Sequence, residues 1–206
     1  MRNIGIAALL LIAFCMFTQH SPAQSSHWQL TESETLWTER YSNCQYGYYF
    51  LLPTDVVAHA EHPPSPHHGF LIKLPATAVR TEVTFDNSDR LIWATAEYNV
   101  TEASTLKGVA EYEMEVTGSG KRKFKLIEHH AAKLQSRPAI EFRAEYDTAD
   151  GLIVEDVLIA LHSGVVYELG LKTTPERYEA DRAQFQKLIT GFRFTPIAKG
   201  ECWHYW

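Results

Sequence analysis

The sequence predicts a single α+β domain with a largely antiparallel sheet covered by two main helices. Segments in which apolar and polar residues alternate, as they do in strands, dominate the chain. Only two segments have apolar residues at helical spacing. Those two stand between groups of strands instead of alternating with each strand, which favours the α+β class. Of the 206 residues, 45% are hydrophobic and 12% are aromatic, enough to bury a sizeable core. No internal repeat and no linker divides the chain.

The domain opens with a strand predicted at residues 46–52, where aromatic side chains dominate and Pro53 ends the run. Residues 58–69 follow as a loop that contains three prolines and four histidines. A second strand is predicted at residues 69–74. Residues 80–85 also alternate, and they lead into a polar turn.

Residues 91–100 are predicted as a strand. After them, the spacing of apolar residues changes from that of a strand to that of a helix. Within residues 101–117, four apolar side chains recur at helical spacing: Leu106, Val109, Ala110 and Met114. Thr101 or Ser104 is the expected N-cap of this helix, and the Gly-Ser-Gly run at residues 118–120 ends it.

The next stretch is predicted as a meander of strands. Residues 123–130 and 139–146 are extended, and the second alternates between apolar and charged side chains, which predicts one buried and one solvated face. Residues 152–161 are apolar on both faces except for two acids, as expected of an interior strand. Residues 163–164, Ser-Gly, form a tight hairpin into a strand at residues 165–171.

A closing helix follows Thr174, its expected N-cap, with Pro175 at the first helical position and Glu176 in the first turn. Its apolar stripe consists of Tyr178, Phe185, Leu188 and Ile189. Gly191 is predicted to end the helix in the left-handed conformation. Residues 192–194 then give a short final strand.

Residues 1–23 have the pattern of an export signal. Arg2 precedes an apolar stretch at residues 4–17, and the small side chains of Ser21 and Ala23 suit cleavage after Ala23. As a helix, that stretch rises about 21 Å, short of a hydrocarbon core of roughly 30 Å. A signal peptide is therefore preferred over the alternative, a permanent anchor.

Cleavage leaves a lead-in segment, residues 24–43, and a domain at residues 44–206 that ends in an aromatic tail. No second apolar run is long enough to span a bilayer. The mature protein is expected to be exported, periplasmic or secreted, and not to span the membrane.

The mature chain keeps two cysteines, Cys44 and Cys202. In an oxidising compartment the simplest interpretation is a disulfide between them, and the alternative is two buried or free thiols. In the chain-entropy model, a disulfide that closes so long a loop adds roughly 4–5 kcal/mol to the stability of the folded protein. Neither cysteine has the neighbourhood that a catalytic thiolate requires.

Four histidines lie close together in the proline-containing loop: His59, His62, His67 and His68. Neutral imidazoles bind zinc or copper, and a turn would bring His59 and His62 together. The intervening prolines favour an extended chain that separates the rings, so a solvated, pH-sensitive loop is the preferred interpretation. A zinc or copper site formed by these four histidines is the alternative, and no other cofactor is predicted.

Several functional classes find no support in the sequence. The formal net charge is −6, with no basic surplus for a nucleic-acid partner. Residues 118–123 combine glycine and lysine but lack the spacing of a P-loop. The acids within residues 147–156 lack the spacing of a calcium loop and indicate a polar turn. No Gly-x-Ser-x-Gly motif occurs, and His162 and Ser163 are expected to point to opposite faces.

Three stretches carry a likeness to a known family: the glycine-aromatic strand at residues 46–53, the meander at residues 137–169, and the closing helix with residues 191–194 after it. In their order and packing pattern they resemble the PsbP/Mog1-like superfamily, which includes the DcrB-type exported bacterial proteins. Together they span roughly residues 44–196. The resemblance implies a sheet-and-helix sandwich and a binding or accessory role, with no catalytic residues to carry over.

We therefore expect an exported, non-enzymatic module that docks onto another protein. The histidine loop and the aromatic tail are its candidate contact elements. Periplasmic zinc or copper binding is the second hypothesis, and a hydrolase whose site the sequence does not reveal is the third.

Overall fold

The computed structural model describes residues 36–54, 56–60, 68–75, 83, 88–101 and 103–198. Within these ranges the strands are, in chain order, β1 (Leu36–Trp37), β2 (Arg40–Asn43), β3 (Tyr48–Leu51), β4 (Ala58–Ala60), β5 (Gly69–Lys73), β6 (Leu91–Tyr98), β7 (Arg122–Leu134), β8 (Arg137–Asp147), β9 (Leu152–His162), β10 (Val165–Thr173) and β11 (Phe192–Phe194). The helices are α1 (Leu106–Gly118) and α2 (Tyr178–Ile189), and one turn of 3-10 helix, Pro175–Arg177, leads into α2.

Eight of the strands form one large sheet in the order β1-β4-β5-β6-β10-β9-β8-β7. Every neighbouring pair in it is antiparallel. The other three form a small antiparallel sheet in the order β11-β3-β2. The predicted class, α+β with a largely antiparallel sheet and two helices, is confirmed.

The long strands β7 to β10 form the meander that the sequence predicts. Between β9 and β10, Ser163 and Gly164 have φ values of 54° and 77°. Two successive residues with positive φ make the type I′ turn that suits the twist of a hairpin. The predicted hairpin at this point is confirmed.

Both faces of the large sheet are covered. One face, here called the α2 face, packs against the small sheet and α2 through a core that includes Tyr48, Phe50, Phe70, Tyr167, Phe185 and Phe192. The opposite face, the α1 face, packs against α1 through Leu71, Trp93, Val109, Phe142, Val157 and Val166. Alternation along β10 shows the division, because Val165 and Tyr167 belong to the first core and Val166 to the second.

Helix α1 begins later than predicted, and its N-cap is Thr105, not Thr101 or Ser104. The Gly108 N–H donates to Thr105 Oγ1 at 3.2 Å. The Thr101 hydroxyl is occupied elsewhere, since it donates to Asn99 Oδ1 at 2.7 Å. Local hydrogen bonding between nearby polar side chains therefore displaces the start of the helix.

Gly191 is needed for a reason other than the one predicted. It is absent from the glycines with positive φ, so the predicted left-handed terminator is wrong. Its carbonyl instead accepts from the Leu51 N–H at 3.0 Å. A Cβ at residue 191 would lie 2.3 Å from the Leu51 oxygen, so glycine permits the close approach of α2 to β3.

Three short strands lie where the sequence predicts none. β1 and β2 belong to the segment predicted as a lead-in, and β4 lies at the start of the predicted histidine loop, paired with β5. Strands of two to four residues are too short for an alternation of apolar and polar residues to be visible. They are strands because they pair with neighbouring strands. Residues 61–67, and all of the strand predicted at 80–85 except Val83, lie outside the described residues.

Candidate protein-docking surface

The turn between β2 and β3, residues 44–47, forms one end of the small sheet. The Tyr46 N–H donates to Asn43 Oδ1 at 3.1 Å, which closes the turn from within. Gly47 has a φ of 68°, a conformation that side chains rarely adopt. The backbone of this turn is therefore held in one conformation.

Three aromatic rings meet beside this turn. The Tyr46 ring lies 5.4 Å from the His68 ring and 5.2 Å from the Tyr98 ring, centroid to centroid. The Tyr46 hydroxyl is 3.2 Å from His68 Nε2, and the Tyr98 hydroxyl donates to the Gln45 carbonyl at 3.3 Å. Tyr98 is 48% exposed, whereas Tyr46 is buried. We call Gln45, Tyr46, His68 and Tyr98 the Tyr–His surface.

A layer of buried tyrosines supports the Tyr–His surface from behind. The Tyr167 hydroxyl donates to the Tyr46 carbonyl at 2.5 Å. The Tyr48 hydroxyl donates to the His68 carbonyl at 3.0 Å. Because β3 and β10 supply these donors, the surface is fixed by both sheets.

The hydroxyls of Tyr46, within this surface, and of Tyr167, behind it, stay protonated at neutral pH. Burial raises the pKa of Tyr46, and nearby Tyr98 and Glu97 add to the effect. Burial also raises the pKa of Tyr167 to about 12, with Tyr98 contributing. These groups donate hydrogen bonds and have the wrong pKa for a general base.

Two of the four candidate metal ligands lie within the described residues, and they lie on opposite faces of the large sheet. His59 is directly opposite Leu71, which belongs to the α1 face, and it is buried. His68 packs on Tyr46, which belongs to the core on the α2 face. His62 and His67 lie outside the described residues. Within the described ranges no group of His, Cys, Asp and Glu is arranged to hold a metal, and the zinc or copper site stays a prediction.

Cys44 lies in the same turn as Tyr46, next to the chain that leads to Cys202. The Ala198 N–H donates to the Cys44 carbonyl at 2.9 Å, and the Thr195 N–H donates to the Gly47 carbonyl at 2.8 Å. Cys202 lies outside the described residues, so its pairing with Cys44 stays a prediction. Cys202 follows Ala198 by four positions, a distance of at most roughly 14 Å along an extended chain, so Cys202 can reach this turn.

His162 and Ser163 approach each other, contrary to the prediction. Ser163 Oγ is 3.4 Å from His162 Nε2, because the positive φ of Ser163 turns the chain at this point. The His162 ring packs on Phe194, and no carboxylate of the described residues contacts it. Burial, with Arg137 nearby, lowers the pKa of His162. A catalytic triad needs a third group that orients the base, and this pair lacks one in the described part of the chain.

The two acids of β9, Glu155 and Asp156, lie within the strand predicted at residues 152–161, and their assignment to a polar turn together with Asp147 and Asp150 is wrong. Asp156 is 1% exposed, and its carboxylate accepts from Arg143 Nε at 2.9 Å and from the Tyr178 hydroxyl at 2.6 Å. Its neighbour Glu155 points to the other face and pairs with Lys121. Neither belongs to a polar turn, since both lie within a paired strand. They link the sheet to α2 and to the end of α1.

The basic run at residues 121–123 is neutralised by the protein itself. Lys121 pairs with Glu155, and Lys123 Nζ lies 2.8 Å from Asp147 Oδ2. The Arg122 guanidinium donates to the Thr148 carbonyl at 2.9 Å. These cations are therefore not available together for an acidic partner.

A small cleft lies between α2 and the chain after β3. Its volume is about 160 Å³, and its lining consists of Pro53, Thr54, Val56, Ile72, Ile92, Gln184, Lys187 and Leu188. This lining contains no pair of acid and base groups of the kind that catalysis requires. Among the described residues, no helix combines the length and the apolar character needed to cross a membrane.

No protein-family model matches the sequence, and no curated protein does. Solved structures do match. The cyanobacterial PsbP (CyanoP) of Synechocystis sp. PCC 6803 has a TM-score of 0.53 at 16% identity, over 84% of this chain and 99% of that one. LpqN, involved in cell envelope biogenesis of Mycobacterium tuberculosis, has a TM-score of 0.51 at 14% identity, over 78% and 92%. The Ran-binding protein Mog1p of Saccharomyces cerevisiae has a TM-score of 0.48 at 10% identity, over 79% and 97%.

The likeness to PsbP and LpqN extends over most of each chain. At such low identity it establishes the fold and leaves the function to the residues. The chain has the PsbP/Mog1-like fold.

Proposed function

We propose that this protein is an exported, non-enzymatic module that docks onto another protein through the Tyr–His surface. The observation that carries the proposal is the half-exposed ring of Tyr98, which lies against Tyr46 and donates its hydroxyl to the Gln45 carbonyl. A large aromatic side chain held in one position at the surface is typical of the residues that dominate binding energy at protein interfaces.

The support behind the surface favours tight contact. Because Tyr46 and His68 are fixed by hydrogen bonds from Tyr167 and Tyr48, a partner would not have to order them on binding. Avoiding that entropic cost strengthens association. Tyrosine also combines apolar area with a hydroxyl, which suits a surface that alternates between water and a partner.

The position of the surface agrees with the contact elements expected from the sequence. The histidine loop re-enters the described chain at His68, and the segment that leads to the aromatic tail leaves it at Ala198, next to Cys44. Both predicted elements therefore adjoin the same turn, residues 44–47.

Export is part of the proposal and rests on the signal pattern of residues 1–23. LpqN is involved in cell envelope biogenesis, and a role in the cell envelope fits an exported protein of this fold. N-terminal sequencing of the protein recovered from outside the cytoplasm tests this part. Export with cleavage predicts a mature chain that begins at Gln24, and an intact Met1 in that fraction contradicts it.

Affinity capture with a matched pair of variants tests the docking surface. Tyr98→Ser removes a ring that is 48% exposed, and Leu152→Ser removes a side chain that is 41% exposed at the opposite end of the sheet. We expect one protein to co-purify in constant ratio with the wild type and with Leu152→Ser, and to be lost with Tyr98→Ser.

Both side chains are half-exposed, so neither variant is expected to disturb folding by more than about 1 kcal/mol. Equal capture by Tyr98→Ser and by the wild type would overturn the proposal. So would loss of the partner with Leu152→Ser alone.

A further inference from the structure

In the described part of the chain, the outer edge of β7 is the longest strand edge without a neighbour. β7 has 13 residues, stands last in the large sheet and pairs with β8 on one side. The other strands at a sheet edge, β1, β2 and β11, have only two to four residues. An unpaired edge presents a row of backbone N–H and C=O groups to which another strand can bind.

The middle of this edge is exposed on both faces and contains two large aliphatic side chains. Residues 125–131 are all exposed. Leu126 is 39% and Ile127 is 38% exposed, and neither belongs to one of the two cores. Lysine side chains and bulges usually protect such an edge from pairing, and β7 has both. Their positions in β7, however, make the edge complementary to itself.

A bulge at Ile127 places Lys125 and Glu128 on one face of the strand. Lys125 lies opposite Glu145 and Glu128 lies opposite Arg143, and the register with β8 skips Ile127. Side chains two residues apart in β8 share a face, so their partners Lys125 and Glu128 share that face too. In a regular strand, residues three apart would point to opposite faces.

A second, antiparallel copy of β7 fits this pattern. With a two-fold axis perpendicular to the sheet and between Leu126 and Ile127, Lys125 of one copy lies opposite the partner's Glu128. The axis relates both copies alike, so a second pair with the same residues forms on the other side of it. Opposite charges directly across two strands stabilise their pairing, whereas a register centred on Glu128 would place two carboxylates against each other.

Both charged side chains are available to a second copy. Lys125 is exposed and forms no salt bridge with a described residue. Glu128 Oε1 lies 2.9 Å from Arg143 Nη1, but the Glu128 side chain is 49% exposed. A carboxylate has about four acceptor positions, so Glu128 can accept from a lysine as well as from Arg143.

We propose that a second copy of this chain pairs with β7 along residues 124–129, with Lys125 opposite the partner's Glu128. The two large sheets, of eight strands each, then become one continuous sheet. β6, which carries Tyr98, lies four positions from β7 in the strand order, a distance of roughly 19 Å. The dimer therefore leaves the Tyr–His surface free, and the inference does not depend on the proposed docking function.

Sedimentation equilibrium of the mature protein, from about 1 μM to about 1 mM, measures the self-association. We expect a fraction of dimer that rises with concentration. Lys125→Glu and Glu128→Lys should each raise the Kd of the dimer at least about tenfold, because each turns both opposite-charge pairs into like-charge pairs. Lys133→Glu, exposed on the same strand but outside the paired segment, should leave the Kd unchanged.

An equimolar mixture of Lys125→Glu and Glu128→Lys supplies the decisive control. In a mixed dimer each like-charge pair is replaced by an opposite-charge pair, so the mixture should dimerise as the wild type does. Chains that had failed to fold would not recover in this way, so the mixture also separates loss of the interface from loss of folding.

The inference fails if the wild type stays monomeric up to about 1 mM, even if an extended segment of another protein binds the same edge. It also fails if the dimer persists in both single variants, or if their mixture stays monomeric. Each of these results leaves the capture experiment with Tyr98→Ser unaffected. Failure of the dimer and failure of the docking function are therefore distinguishable.

Discussion

At the scale of single residues, Gly170 makes room for a tryptophan within the large sheet. It lies directly opposite Trp93 in the pairing of β10 with β6. A Cβ at residue 170 would lie 1.9 Å from Trp93 Cζ2. Trp93 is buried and donates to Glu168, so its ring cannot move aside without losing a hydrogen bond. The glycine is therefore a packing requirement.

Gly170→Ala should destabilise the protein by about 1–3 kcal/mol, the usual cost of overpacking a core. The measurement is the free energy of unfolding in urea. The same glycine substitution in a Trp93→Leu background should cost less than about 0.5 kcal/mol, because the clashing ring is gone. An equal cost in both backgrounds would show that the ring is not the cause.

Glu113 makes the stability of the folded protein depend on pH. Burial, with Glu97 nearby, raises its pKa above the ordinary 4.5 in the folded state, so folding favours the protonated carboxyl. The stability that protonation contributes is fully present below the unfolded pKa and is lost as pH rises through the raised folded pKa. The unpaired charge therefore opposes folding at pH 7.

Glu113→Gln should accordingly be more stable than the wild type at pH 7, and this advantage should disappear at pH values below 4.5. Urea unfolding at a series of pH values measures the difference. Glu115→Gln on the exposed side of α1 serves as the control and should show no such trend. A Glu113→Gln variant that is less stable at pH 7, or an advantage independent of pH, would contradict the assignment.

At the scale of elements, a buried ion pair connects α2 to the large sheet. Asp181 of α2 is fully buried and accepts from Arg90 Nε at 2.7 Å and from Thr173 Oγ1 at 2.5 Å. Arg90 precedes β6 and Thr173 ends β10, so one carboxylate joins the helix to two neighbouring strands.

Asp181→Asn should therefore destabilise the protein by about 2–3 kcal/mol. That is somewhat below the 3–5 kcal/mol expected for a fully buried pair, because the partly exposed Arg90 can regain water. Asp150→Asn, in an exposed turn, should change stability by less than about 0.5 kcal/mol. Faster amide hydrogen exchange confined to α2 would accompany the loss. A variant as stable as the wild type would show that this pair contributes nothing to holding the helix.

Elements with a local signal are the ones that sequence patterns predict well. β8, β9 and β10 show alternation or continuous apolar character over nine or more residues, and the positive-φ turn between β9 and β10 has its own residue signature. The start of α1 was missed because the Thr101 hydroxyl bonds to Asn99, which competes with capping.

The functional side chains lack such a signal, because their partners come from distant elements. Tyr98 continues the alternation of β6, and its contacts with Gln45 and Tyr46, in the turn between two strands of the small sheet, distinguish it from a core residue. The solvated face predicted for β8 is likewise half-covered, since Arg143 meets Asp156 of β9 and stacks on Tyr178 of α2. Such meetings depend on topology, which no local pattern contains.

At the scale of the whole molecule, a disulfide between Cys44 and Cys202 would join the docking end to the C-terminal segment. The hydrogen bond from Ala198 to Cys44 supports this pairing. We expect no free thiol in the exported, denatured protein, and a loss of about 2–5 kcal/mol of stability in Cys44→Ser. Thiol counting under denaturing conditions and urea unfolding measure the two effects. Two free thiols in the mature protein would contradict the pairing.

The arrangement of layers explains why one end of the molecule is free to bind. The two faces of the large sheet are covered by α1 on one side and by α2 with the small sheet on the other. The last two residues of β6, Glu97 and Tyr98, are exposed at one end of the large sheet. Contact with another protein at this end would leave both cores undisturbed.

Site-specific photocrosslinking in cells that make the protein tests the docking function most directly. A benzophenone side chain at position 98 should give one discrete adduct with a second protein, while the same group at position 152, at the far end of the sheet, should give none. Adducts of equal yield at both positions, or at position 152 alone, would contradict docking through the Tyr–His surface.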